Sequence, residues 1–220
     1  MLFLRTARTS LPPWTTLFLV STSIISGYRL KPGRSTEKDF PEATVDTPFS
    51  GSIGAYTLSK ILAERAAWDL MTSHPEATFD IITTLPAFVF GPNLLQTSVK
   101  ETTGTNGILW KVLTTGFPFP LAYGNVHVED VARAHVLALD HGKVPGGSRY
   151  LLVASNDSWS FALEYVKGKW PERKWAEKET VGAPVKWDTS KAVKELGLGG
   201  FLSYRRQIDD VVEQLIAFGA

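Results

Sequence analysis

The chain has 220 residues, of which 44% are hydrophobic and 20% charged, so it is long and apolar enough to bury a core as one globular domain. A formal net charge of only +1 gives no global reason to expect nucleic acid or an anionic membrane as partner. Cysteine is absent, which excludes disulfides and thiolate metal sites and fits a cytoplasmic protein. No apolar run reaches the roughly 18 residues of a membrane-spanning helix.

The N-terminal region allows two interpretations. It carries Arg5 and Arg8 and has no acidic residue before Glu37, and serine and threonine are frequent, as in an organelle transit peptide. The stretch Leu17-Phe-Leu-Val20 resembles a short signal-peptide core, but its β-forming residues also predict a buried strand. We adopt the strand, which leaves N-terminal targeting as the minor alternative.

The first predicted elements are a strand, a helix and a second strand. The strand runs from Leu17 to Ser23, and a long loop rich in proline and glycine follows it. A helix over about 53–72 is predicted, and His74-Pro75 ends it because proline disfavours helical geometry in the residue before it. The apolar stripe of this helix comprises Leu58, Ile61, Leu62, Ala66 and Leu70. Phe79 to Leu85 is the next strand.

The remaining pattern is mixed. We predict helices near 105–115, 129–142, 158–168, 189–196 and 204–218, and strands at 126–128 and 149–153. Gly197 is well placed to end the helix at 189–196. Strand, helix, strand order with continuous apolar strands indicates an α/β fold in which helices cover a parallel sheet.

Tyr56 and Lys60 lie four residues apart on the first predicted helix, so their side chains share one face. An ammonium beside a phenol favours the phenolate, which eases proton transfer to or from a carbonyl or hydroxyl near neutral pH. The spacing alone is weak, because Tyr165 and Lys169 repeat it. Gly168 and Pro171 flank that second pair, so we interpret it as a surface coincidence at a helix end.

Several motifs in order give the chain its resemblance to a known family. They are the hydroxyl cluster Ser21-Thr22-Ser23, Tyr56-Thr-Leu-Ser-Lys60, Leu85-Pro-Ala-Phe-Val-Phe-Gly-Pro92, Val126-His-Val-Glu-Asp-Val-Ala132 and the tail segment Trp187-Asp-Thr-Ser-Lys191. From about residue 17 onward the chain resembles the extended short-chain dehydrogenase/reductase superfamily, in its dihydroflavonol-reductase-like and NAD-dependent epimerase/dehydratase group.

The resemblance implies a fold and a division of the chain. It implies the C-terminal part of a Rossmann-like parallel sheet with helices on both faces, joined to a small mixed α/β substrate-binding region. Residues 17–220 would form this partial NAD(P)-binding domain, and residues 1–16 would be an unassigned extension.

The resemblance also implies roles for individual residues. Tyr56 would be the catalytic acid/base, and Lys60 would promote its proton transfer and bond the nicotinamide ribose. Thr22 would hydrogen-bond the substrate oxygen, with Ser23 as the alternative one residue on. The backbone from Pro86 to Val89 would lie along the nicotinamide.

The family's glycine-rich pyrophosphate turn has no counterpart ahead of the first matched strand. The two Gly-x-x-Gly segments, Gly51-Ser-Ile-Gly54 and Gly104-Thr-Asn-Gly107, do not follow strands, and we predict both as loops. The resemblance therefore implies that three β-α units, on the order of 90–100 residues, are missing before the matched part.

Two functions remain. The first is an NAD(P)-dependent oxidoreductase acting on a carbonyl or hydroxyl of a small organic substrate, with NADP(H) favoured over NAD(H) and cofactor binding dependent on the missing turn. The second is a non-catalytic relic that binds a partner through an exposed strand edge. Both leave a homodimer open, and neither involves nucleic acid, membrane or metal.

Other features have simpler interpretations. Asp130 suits the first turn of its helix, where an acid interacts well with the dipole. His127 and His135 lack a matching set of metal ligands. The segment Phe117-Pro-Phe-Pro120 is more typical of packing than of a pocket, and acidic residues interrupt the basic stretch at 167–174.

Overall fold

The computed structural model describes residues 15–20, 34–119, 124–177 and 186–220. The strands in these ranges are β1 (Thr15–Val20), β2 (Arg34–Ser35), β3 (Phe79–Pro86), β4 (Phe88–Phe90), β5 (Asn125–His127), β6 (Arg149–Leu152) and β7 (Lys186–Trp187). The helices are α1 (Gly51–Ser73), α2 (Gly104–Thr115), α3 (Val128–Leu137), α4 (Trp159–Lys169), α5 (Ser190–Leu196) and α6 (Tyr204–Ala217), with a 3₁₀ turn at Val99–Glu101.

The central sheet is parallel, with strand order β1-β3-β6. Leu17 pairs with Ile81 on one side of β3, and Leu85 pairs with Leu151 on the other. Since β3 lies between two strands, it is buried along nearly its whole length, which fits its mainly apolar sequence. The predicted α/β class with a Rossmann-like parallel sheet is confirmed.

Helix α1 packs on β3, and the two elements run in opposite directions. Its buried residues are Thr57, Leu58, Ile61, Glu64 and Ala67. Ala67 packs against Phe79 and Ile81 of β3, whereas Leu58 and Ile61 pack against the loop before the helix. Because α1 precedes β3 and connects to it through a short turn, the first turns of α1 lie near the carboxyl end of β3.

A buried ion pair ties α1 to β6. The guanidinium of Arg149 forms a fork on Glu64, with Nε–Oε1 at 2.7 Å and Nη2–Oε2 at 3.2 Å. The Glu64 side chain is 0% exposed and that of Arg149 is 14% exposed. Phe40 stacks against the same guanidinium, 4.9 Å from its ring centre, so the loop before α1 closes over the pair.

The second region packs α2, α4 and α6 around the two-stranded parallel ladder β4-β5. Its core is aromatic: Phe90 and Trp159 contact edge to face with ring centres 6.1 Å apart, and Phe90 stacks on Tyr204 at 6.1 Å. Phe119 contacts Trp159 in the same cluster, so this part of the 117–120 segment packs in the core rather than lining a pocket.

Three sequence predictions are corrected in detail. Both Gly-x-x-Gly segments, predicted as loops, are the first turns of α1 and α2. Gly51 (φ 63°) and Gly104 (φ 59°) enter these helices in the left-handed region, where glycine carries no steric cost. Helix α3 ends at Leu137 rather than near 142, and β1 begins at Thr15 rather than Leu17.

The other predicted elements are found within about two residues of their expected bounds. Gly197 ends α5 with φ 68°, as predicted. Within the described ranges, no helix combines the length and hydropathy that a bilayer crossing requires.

Candidate active site

Tyr56 and Lys60 come together on the first turns of α1. The Lys60 Nζ lies 5.6 Å from the centre of the Tyr56 ring, within the range of a cation–π contact. Tyr56 is 50% exposed and Lys60 is half-buried, so both are at the helix surface rather than in the core. By helical spacing Tyr56 and Lys60 point in nearly the same direction as the buried Ala67, so they lie at the edge of the buried face of α1 rather than opposite it.

The predicted cofactor-contacting residues lie at the carboxyl end of the sheet. Pro86 is the last residue of β3 and pairs with Leu152, and Val89 is the central residue of β4 and pairs with Val126. The first turns of α1 lie at this same end of β3, as ligand sites in parallel sheets generally do. The predicted hydroxyl residues Thr22 and Ser23 lie outside the described residues.

A cavity of about 530 Å³ opens beside β4. It is formed by the strand end, the start of α2 and the start of α3. The lining residues are Val89, Phe90, Gly91, Pro92, Asn93, Leu94, Thr103, Gly104, Thr105, Asn106, Val128, Glu129 and Ala132. Among these, Glu129 carries the only charge, and most of the remaining surface is apolar or amide. This lining favours an uncharged organic ligand.

Helix α2 holds one side of the cavity wall. The Thr105 hydroxyl donates to the Val89 carbonyl, and Asn106 Nδ2 donates to the Gly91 carbonyl at 2.7 Å. Among the described residues the buried Asn106 Oδ1 has no hydrogen-bond partner, although Asn106 lines the cavity. No sequence signal marks either residue, because their acceptors on Val89 and Gly91 lie about 15 positions earlier and meet them only in the folded chain.

Gly91 is required by close packing at the same wall. It adopts φ 137°, and a Cβ at this position would lie 2.7 Å from Val128 Cγ1 and 3.0 Å from His127 Nε2. Only glycine lets the chain turn out of β4 while His127 fills the space behind it.

The contacts of Asp130 indicate a structural role. It is 1% exposed and accepts hydrogen bonds from Arg133 Nη2 at 2.9 Å and from the Leu202 amide at 2.8 Å. Burial raises the pKa of its carboxyl above the usual value, although the two bonds oppose that shift. Asp130 therefore links the first turn of α3 to the loop before α6, which extends the interpretation made from sequence.

The described residues match only one end of a dinucleotide. The Lys60 ammonium and Tyr56 hydroxyl are groups that can bond ribose and nicotinamide substituents. In the described ranges no helix follows a strand through a glycine-rich turn, because α1 and α2 both begin after irregular segments. These residues thus fit the nicotinamide end of the cofactor and supply no pyrophosphate turn.

Comparisons with known proteins agree with the motifs. Ketoreductase sphI of Aspergillus fumigatus is 33% identical to the chain over 177 residues, covering 74% of this chain and 49% of that protein. Tetraketide alpha-pyrone reductase 2 of Arabidopsis thaliana is 34% identical over 161 residues, covering 71% of this chain and 48% of that protein. No protein-family model matches the chain.

The fold has close structural relatives. The crystal structure of yeast methylglyoxal/isovaleraldehyde reductase Gre2 complexed with NADPH aligns with a TM-score of 0.77 at 24% identity, covering 93% of this chain and 64% of that one. The chain spans about half the length of the curated relatives it matches. With the motifs in register and the fold shared, the chain belongs to the extended short-chain dehydrogenase/reductase superfamily.

Proposed function

We propose that this chain carries the proton-delivery site and the substrate pocket of an NAD(P)-dependent reductase that acts on a carbonyl group of a small organic molecule. The observation that carries the proposal is the contact between Lys60 and Tyr56 at the carboxyl edge of a parallel sheet. Its relatives, a ketoreductase and a pyrone reductase, support the same chemistry.

The chain's own residues would handle the proton. The Tyr56 hydroxyl would donate a proton to the substrate oxygen as the carbonyl becomes an alcohol, and the Lys60 ammonium would stabilise the phenolate left behind. Thr22, or Ser23 in its place, would hold the substrate oxygen by a hydrogen bond. The cofactor, when bound, supplies the hydride.

The cavity beside β4 would hold the body of the substrate. Its apolar lining with one carboxylate disfavours phosphorylated or otherwise anionic substrates, since Glu129 would repel them and the described part of the wall contains no basic residue. NADP(H) is the favoured cofactor, because the yeast relative was crystallised with NADPH. The backbone from Pro86 to Val89 would contact its nicotinamide.

The test is a fluorescence titration of the purified chain with NADPH, followed by turnover with isovaleraldehyde. Saturable NADPH binding, and turnover that is lost in Tyr56→Phe but kept in Tyr165→Phe, would support the proposal. Tyr165→Phe is the matched control because it removes a hydroxyl from the second Tyr-x-x-x-Lys pair. Absence of NADPH binding would rule out reductase activity for this chain.

A second candidate function is a non-catalytic partner-binding protein. The observation that favours it is that β1 pairs only with β3 among the described residues, which leaves its other edge able to accept a strand. A homodimer would be one outcome. Light scattering after size-exclusion chromatography tests it, since a monomer at all concentrations would exclude pairing between copies. The first proposal also includes a domain boundary between residues 16 and 17. It includes a cytoplasmic location as well.

A further inference from the structure

The wall of the cavity at residues 89–93 runs from the buried end of β4 to the exposed Asn93. The amide of Phe88 donates to the Gly124 carbonyl toward β5, whereas the carbonyls of Val89 and Gly91 face away from β5 and accept side-chain bonds from α2. Past Gly91 the chain leaves the ladder, so its next residues need other partners.

Helix α6 supplies those partners through Gln214. The Asn93 amide donates to Gln214 Oε1 at 3.0 Å, and Gln214 Nε2 donates back to the Asn93 carbonyl at 3.0 Å. One side-chain amide therefore satisfies both backbone groups of a single cavity residue. These two residues are 121 positions apart in the sequence.

A second contact from α6 lies one helical turn earlier. His127 Nε2 lies 3.0 Å from Asp210 Oδ2, and Arg206 Nε donates to the same oxygen at 2.9 Å. His127 Nδ1 accepts from the Glu129 amide at 3.1 Å, which leaves Nε2 as the protonated nitrogen that donates to Asp210. The His127 ring, 0% exposed, is the surface on which Gly91 rests.

We propose that α6 positions the substrate wall of the cavity, with Gln214 as the main positioning residue and Asp210 as its support through His127. The inference rests on the proposed function for its catalytic consequence, and it adds residues from outside the cavity lining. Leu94 and Leu95, 93% and 90% exposed, follow directly after the held residue. The hydrogen bonds at Asn93 thus set the position of Leu94, which lines the cavity.

A purely stabilising role is the alternative, and a local measurement separates the two. Hydrogen exchange followed by NMR reports the Asn93 amide directly, because that amide donates to Gln214. In Gln214→Met, which keeps the length of the side chain and removes both hydrogen bonds, we expect exchange at Asn93 to become about fivefold to tenfold faster. The matched control is Glu213→Ala on the neighbouring position of α6, which contacts Lys169 instead.

Unchanged exchange at Asn93 in Gln214→Met, or equal acceleration in Glu213→Ala, would overturn the proposal. Acceleration throughout α6 as well as at Asn93 would show only loss of stability and would also overturn it. Thermal unfolding of each variant, measured by circular dichroism, provides the comparison of overall stability.

The catalytic arm uses NADPH-dependent reduction of isovaleraldehyde. We expect Gln214→Met to raise KM about threefold to tenfold with kcat nearly unchanged, since it moves a binding wall rather than the proton donor. An equal fall in kcat would contradict a positioning role. If no variant reduces the aldehyde, the proposed function fails while the exchange result still decides whether Gln214 holds Asn93.

Discussion

The chain holds two Tyr-x-x-x-Lys pairs, one on the first turns of α1 and one on the last turns of α4, and they differ in what surrounds them. In the first pair, the Lys60 ammonium lies 5.6 Å from the Tyr56 ring centre. In the second, the Tyr165 hydroxyl donates to Asp209 Oδ1 at 2.8 Å, and Lys169 lies 2.7 Å from that same oxygen.

The Asp209 carboxylate opposes the effect that the Lys169 ammonium has on the pKa of Tyr165. Burial raises the pKa of Tyr165, and its hydrogen bond to Asp209 raises it further because a phenolate there would meet a negative charge. Burial opposes the charged form of Lys169, but Asp209 and Glu213 outweigh it and raise the pKa of that ammonium. The second pair is held in its ordinary protonation state and ties α4 to α6, so equal spacing yields two different chemistries.

The largest expected effect separates the two lysines. Lys60→Met keeps the apolar stem and removes the charge, and we expect kcat for NADPH-dependent reduction to fall about tenfold to a hundredfold. Lys169→Met should leave kcat unchanged, since its ammonium serves Asp209 and Glu213. Steady-state kinetics of both variants checks this, and equal losses would mean that the pairs do not differ in function.

Removing the Asp209 carboxylate should leave the second pair without its shared acceptor and make the protein less stable. Asp209→Ala deprives Tyr165 and Lys169 of their shared acceptor, and we expect the free energy of unfolding to fall by about 2 kcal/mol. Urea denaturation at neutral pH measures it. A change within the error of the wild type would show that the shared contact contributes nothing to the α4–α6 interface.

The raised pKa of Tyr165 predicts a pH dependence. The folded protein keeps this proton at a pH where the unfolded chain has lost it, so the stabilisation is complete below about pH 10 and declines as pH rises through the folded-state pKa. In Tyr165→Phe the decline should be shallower. Urea denaturation between about pH 9 and 11 measures the slopes, and parallel slopes would contradict the raised value.

Tyr150 provides the reference for that measurement. Burial, with the Glu195 carboxylate adding to it, raises the pKa of Tyr150 to about 12. Tyr150→Phe should therefore flatten the decline over a wider range, up to about pH 12.

The smallest expected effect concerns Glu213. Its contact with Lys169 at 3.1 Å lies at the surface, where the Glu213 side chain is 58% exposed. We expect Glu213→Gln to change the free energy of unfolding by less than about 0.5 kcal/mol. A larger loss would mean that the surface contact between Glu213 and Lys169, rather than Asp209, provides most of the stabilisation at the second pair.

Local patterns made much of the fold predictable. The apolar stripe through Leu58 and Ile61 predicted α1 because the burial of these residues under the preceding loop follows helical spacing. The mainly apolar sequence of β3 likewise predicted a strand buried on both faces. The two glycine pairs were misjudged, since left-handed glycines can start a helix as readily as form a loop.

The site was only partly predictable. Helical spacing placed Tyr56 beside Lys60, but no periodicity relates Gln214 to Asn93, which meet only through tertiary packing. Likewise, spacing could not show that Tyr165 shares Asp209 with Lys169, because the carboxylate comes from another helix. The roles of Tyr56, Lys60, Pro86 and Val89 remain predictions.

The buried fork between Glu64 and Arg149 has a consequence for the orientation of the Tyr56 side chain. Glu64 lies two turns beyond Tyr56 on the same helix, and two parallel bonds to a planar guanidinium admit one rotational setting of that helix. Sliding the helix by one residue would turn it by about 100° and separate the charges inside the protein. The orientation of the Tyr56 side chain is therefore set by the contact between α1 and β6, and replacing either Glu64 or Arg149 alone would leave its partner's charge unpaired inside the protein.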